Sequence, residues 1–118
     1  MTIRPALFAS LLFATGAAWG HAHVRSSEPG DRTTLPASPT KLVVRFNEAV
    51  RVAVLTIQKD GAKPAPLKPL PKAAAADIEV PLPSLVPGAY TVQWRVAGDD
   101  GHVTGGTIRF AVAAPKAP

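Results

Sequence analysis

The chain has 118 residues, 13 Lys and Arg against 8 Asp and Glu, a formal net charge of +5, and no cysteine. The missing cysteines exclude a disulfide framework, a thiol nucleophile, a thiolate zinc site and a lipidated cysteine anchor. Arg25, Arg32, Lys41, Arg45, Arg51 and Lys59 are dispersed along the sequence, a pattern that favours solubility and argues against a nucleic-acid partner.

Residues 1–20 carry the pattern of a secretory signal. Arg4 gives a positive start, ALFASLLFATGAA an apolar stretch, and Ala18-Trp19-Gly20 small residues at the −3 and −1 positions of a cleavage point. The apolar stretch is shorter than the roughly 20 residues of a membrane-spanning helix. Cleavage after Gly20 takes 20 of the 118 residues and one charge, Arg4, leaving 98 residues with a net charge of +4. That length suits one domain with a single core, spanning 21–114, with 115–118 as a disordered tail.

Past the signal, the period is that of strands. Leu42, Val44 and Phe46 alternate with Lys41, Val43 and Arg45. VAVLTIQKDG predicts a second strand that stops at an Asp60-Gly61 turn. AKPAPLKPLPKAAAAD reads as a loop, because KAAAAD is too short to hold a helix in water. DIEVPL predicts a short strand whose proline puts it at a sheet edge. Pro87-Gly88 marks a turn, after which Tyr90, Val92, Trp94 and Val96 alternate with polar neighbours, and Ile108, Phe110 and Val112 do the same. Tyr90 and Trp94 read as core, and Gly105-Gly106 as a tight turn. Short alternating strands between Pro/Gly turns predict an all-β fold, a small antiparallel sandwich or Greek-key barrel.

All three histidines fall in two short motifs, His21-x-His23 and Asp100-x-His102. Residues i and i+2 of an extended segment point the same way, so each motif offers two ligands to one place. Imidazole suits copper, zinc and nickel. Cleavage after Gly20 adds a further ligand, the α-amine of His21, whose proton a metal displaces at modest cost. Amine and imidazole of one residue can chelate a single ion, and nitrogen donors with one carboxylate favour a tetragonal Cu(II) site. A chain beginning His21-Ala22-His23 also has a second option. It can bind Cu(II) through its amine, two deprotonated amides and the third-residue imidazole, with no help from Asp100 or His102. Ser26 and Ser27 lack a general base other than these histidines, which argues against a serine hydrolase.

HAHVRSSEPGD, LVVRFNEAV and LVPGAYTVQWRVAGDDGHVTGGTIRFAV together resemble the periplasmic copper-binding proteins of the CopC type, over essentially the whole mature chain. The resemblance implies a Greek-key β-barrel with immunoglobulin-like topology and one Cu(II) ion held by the amine and imidazole of His21, Asp100 and His102. It places His23 near the copper, as a ligand or as its neighbour, and Glu48 beside the site, where it orients a ligand or water. It also implies a monomeric, non-enzymatic protein of copper homeostasis and resistance in the periplasm, with a CopD-type inner-membrane copper importer as its partner. One departure stands out. The only methionine, Met1, leaves with the signal, so the thioether Cu(I) site of some relatives cannot be built. Two other readings compete. One is a copper monooxygenase with a histidine brace, disfavoured because Asp100 would fill a position that O₂ needs and because aromatic residues are scarce. The other is a metal-free immunoglobulin-like structural module.

Overall fold

The computed structural model describes residues 22–115 together with Thr2; the signal segment, the cleavage point, His21 and the last three residues lie outside the described residues. The alternating segments become strands, as β-branched and aromatic residues with one buried face should. They run β1 (Val24–Glu28), β2 (Thr33–Leu35), β3 (Lys41–Lys59), β4 (Ala65–Pro66), β5 (Ala75–Pro81), β6 (Gly88–Ala97) and β7 (Val103–Val112). Hydrogen bonding follows the path β1-β3-β6-β7-β2, with β4 and β5 also pairing with β3.

The two segments expected as separate strands on either side of Asn47 are one strand, β3, whose halves serve different layers. Lys41–Arg45 pairs with β5 on one side and β1 on the other, while Arg51–Lys59 pairs with β6. The register against β5 breaks between Arg45 and Val50. At this irregularity the strand passes from one layer to the other, as bulged strands do at sandwich corners. Leu42, Val44 and Phe46 from the first half, Ile78 and Val80 from β5, and Leu55, Ile57, Val92, Val96, Ile108 and Phe110 from the other layer close one core. Val43 is buried as well, in register between Glu28 and Glu79. The ion pairs Lys41–Glu79 at 3.2 Å and Arg45–Glu28 at 3.5 Å join the same three strands two residues away on either side.

Tyr90 and Trp94 lie inside, as expected. Trp94 meets Phe46 edge to face at 5.2 Å, and Tyr90 stacks on Phe110 at 5.7 Å. The Tyr90 hydroxyl donates to the Val86 carbonyl at 2.6 Å, a tether of the kind found in immunoglobulin-like sandwiches. Among the described residues, β5 pairs with β3 alone and is an edge strand, as its proline predicted.

The structure corrects three expectations. Gly105 and Gly106 do not make a turn; they lie within β7, in register with Arg95 and Trp94. The Pro-rich segment is more than a loop, because β4 pairs with Thr56 and Ile57 and delivers Leu67 into the core at 3% exposure. The sheet is not wholly antiparallel either, since β2 runs parallel to β7.

Candidate metal centre

The β6–β7 hairpin ends in the five-residue loop Gly98–His102, which holds the Asp100-x-His102 motif. The Gly98 N–H donates to the His102 carbonyl at 3.1 Å, and the Gly101 N–H to the Gly98 carbonyl at 3.0 Å. The motif is therefore a turn, with Gly101 at φ 80°, and not the extended segment that the i, i+2 argument assumed. The two side chains meet all the same. Asp100 Oδ1 accepts the His102 backbone N–H at 3.0 Å, and Asp100 Oδ2 lies 2.9 Å from His102 Nδ1. A side-chain oxygen capping an N–H two residues on is the usual way Asp stabilises such a turn.

This pairing sets the chemistry. The backbone N–H of His102 holds the Asp100 carboxyl below the ordinary aspartate value of 3.8; partial desolvation opposes that shift, and the charge and side-chain hydrogen bond of His102 add to it. Asp100 is thus ionised across neutral and mildly acidic pH. When the neutral ring donates Nδ1–H to the carboxylate, the lone pair sits on Nε2, the arrangement in which a carboxylate orients a ligating imidazole. In that tautomer Nε2 faces away from Asp100, so a single ion held by both side chains would have to replace the Nδ1–H···O contact, with Nδ1 and the carboxylate as its donors.

Glu48 reaches the same loop. It sits at the irregularity of β3, half-buried, and its Oε1 lies 2.5 Å from the point a Gly98 Cβ would occupy, with Asp100 Oδ1 3.3 Å from that point. Only glycine at position 98 lets the Glu48 carboxylate pack this closely against the loop backbone. The neighbouring residue, Asn47, holds the other end of the site. Its N–H donates to the His23 carbonyl at 3.1 Å, and its Oδ1 accepts the His23 N–H at 2.7 Å. Ala22, one residue earlier, is 5% exposed and part of the core.

Adjacent residues of β3 therefore grip the N-terminal segment and abut the histidine loop. The structure pairs Asp100 with His102, sets Glu48 against Gly98 of the same loop, and fixes the backbone of His23 on the strand that carries Glu48. His21 lies outside the described residues. Among the described residues, no three His, Asp or Glu side chains converge as a metal site. Asn47 was not singled out from the sequence. Its contribution depends on which residue of the N-terminal segment it faces, here His23 just before β1, and no local pattern encodes that.

The CopC domain profile matches residues 24–113. Protein YobA of Escherichia coli (strain K12) is 34% identical over 103 residues, covering 83% of each chain. Copper resistance protein C of Xanthomonas campestris pv. juglandis is 34% identical over 109 residues, covering 84% of this chain and 85% of the relative. The crystal structure of CopC from Methylosinus trichosporium OB3b is similar with a TM-score of 0.71 at 25% identity, over 83% of this chain and 98% of that one. PcoC, a methionine-rich copper resistance protein from Escherichia coli, has a TM-score of 0.62 at 27% identity, over 78% of this chain and 98% of its own.

Proposed function

The chain belongs to the CopC family, and from that premise we propose that it is a periplasmic copper-resistance protein holding one Cu(II) ion between its processed N-terminus and the Asp100–His102 loop. Residues 1–20 are the export signal in this reading, and cleavage after Gly20 makes His21 the first residue. The ligands are the α-amine and imidazole of His21, Asp100 and His102, with His23 beside them and Glu48 orienting the set.

One observation carries the reading. The irregularity of β3 carries both Asn47, which bonds the His23 backbone, and Glu48, which lies against Gly98 of the Asp100–His102 loop. Nitrogen donors with a carboxylate suit Cu(II). PcoC is described as methionine-rich, whereas the only methionine here is Met1. The processed chain then offers no thioether for Cu(I). It acts as a carrier or buffer and not as an enzyme, because Asp100 as a ligand would fill the position that O₂ needs. A CopD-type membrane importer is the partner to which it delivers copper, and it works as a monomer.

The test is a Cu(II) titration followed by EPR on the exported protein, beside a variant with one extra Gly before His21 and His102→Ala. Both variants remove a direct ligand, so each should weaken binding by more than the roughly ten- to hundredfold that losing a partner of a ligand costs, and change the spectrum. Undiminished affinity in His102→Ala would show that the folded site does not hold the metal.

A further inference from the structure

A chain that begins His21-Ala22-His23 has two incompatible ways to hold copper, and the structure contains a device that chooses between them. In the tripeptide mode, copper bonds to the α-amine, to the amide nitrogens of Ala22 and His23, and to the His23 imidazole. The two amide hydrogens leave as protons to solvent, with no change of oxidation state. In the folded mode those amides stay intact and the loop supplies Asp100 and His102. On the reading above, we propose that Asn47 is the positioning residue that commits the N-terminus to the folded mode, by engaging the very amide that the tripeptide mode must use.

The geometry is specific to that choice. Asn47 Oδ1 accepts the His23 N–H at 2.7 Å, at the short end of the N–H···O range. An amide nitrogen whose hydrogen is held in this bond has no lone pair to offer a metal. The Asn47 N–H holds the carbonyl of the same residue at 3.1 Å, so His23 is fixed by both its backbone groups. Ala22 is anchored separately, its side chain 5% exposed within the core. Binding an ion through the amides of residues 22 and 23 would break the His23 N–H bond to Asn47 and pull against the packing of Ala22. Aspartate at position 47 would preserve the Oδ acceptor, whereas alanine or leucine would not.

The experiment is a double-mutant cycle on protein exported from the full chain, with the first residue confirmed by mass spectrometry. Cu(II) affinity and EPR spectra are measured for parent, His102→Ala, Asn47→Ala and the double variant, and hydrogen exchange of the His23 amide is read without metal. In the parent, His102→Ala should weaken binding by roughly tenfold or more. In Asn47→Ala, the spectrum should change to that of four in-plane nitrogens and His102→Ala should have no further effect. The His23 amide should exchange about tenfold or more faster in Asn47→Ala, and Asn47→Asp should restore both the exchange rate and the dependence on His102. Parent-like spectra and an undiminished His102 effect in Asn47→Ala overturn the proposal and leave the folded site standing. A parent already indifferent to His102 overturns both, and the parent spectrum alone identifies that case. If Asn47→Ala is too unstable to purify, Asn47→Ser and the His23 exchange rate decide the question in the same way.

Discussion

Gly106 sits under the indole of its own cross-strand partner. A Cβ there would lie 2.5 Å from Trp94 Cζ2 and 2.8 Å from Cε2, distances that real Cβ atoms do not reach. Trp94 cannot give way easily, because Phe46 packs edge-on against it at 5.2 Å. Gly106→Ala should therefore overpack the core and cost about 1–3 kcal/mol of stability, seen as a lower urea midpoint with an unchanged slope. An unchanged midpoint would mean that the ring and β7 move apart freely. Gly98 is the contrasting case. The atom that a Cβ would strike is Glu48 Oε1, the end of a flexible side chain, so the consequence falls on the placement of a carboxylate and not on the core.

Among the elements, β3 organises both the fold and the site. Its first half faces β1 and β5, its second half faces β6 and β4, and the passage between them carries Asn47 and Glu48. The Pro-rich connection after β3 serves stability instead. The Leu67 N–H donates to the Leu55 carbonyl at 3.0 Å, and its side chain is 3% exposed. Leu67→Ala should cost about 2–5 kcal/mol while leaving the Cu(II) affinity of the folded protein unchanged, since Leu55 lies several residues along β3 from Asn47. A calorimetric melt beside a copper titration checks this, and a parallel loss of affinity would contradict it. The same elements show what the sequence reveals. Leu42, Val44 and Phe46, and Tyr90 through Val96, announce themselves because a half-buried strand imposes a period of two. β1 and β2 leave mostly exposed residues at their positions, so no period betrays them, and β4 is too short to have one. Gly105-Gly106 looks like a turn because local rules treat paired glycines as breakers. The real reason for Gly106 is a ring brought in from another strand. Asp100 and His102 were legible by residue type and spacing, although the turn that joins them is not the extended segment their spacing suggested. Asn47 was not legible, because its partner is fixed by the register between β1 and β3.

At the scale of the whole molecule, the sandwich makes one place out of three separated stretches of chain. The N-terminal segment enters beside β3, the β6–β7 hairpin presents its loop at the same end, and residues 47–48 lie between them. A small core without disulfides gains stability from any ion bound only by the folded state, by about 2.7 kcal/mol when the ion is at 100 times its dissociation constant. Copper binding and folding should therefore reinforce each other here. The central claim is that one Cu(II) ion is shared among these three stretches, and its most direct test is paramagnetic broadening in the amide NMR spectrum of the exported protein. With substoichiometric Cu(II), the amides of residues 22–24, 47–49 and 98–103 should broaden together, at the same metal ratio. Broadening confined to residues 22–24, with the 98–103 loop sharp, would contradict the account and place the copper on the N-terminal tripeptide alone.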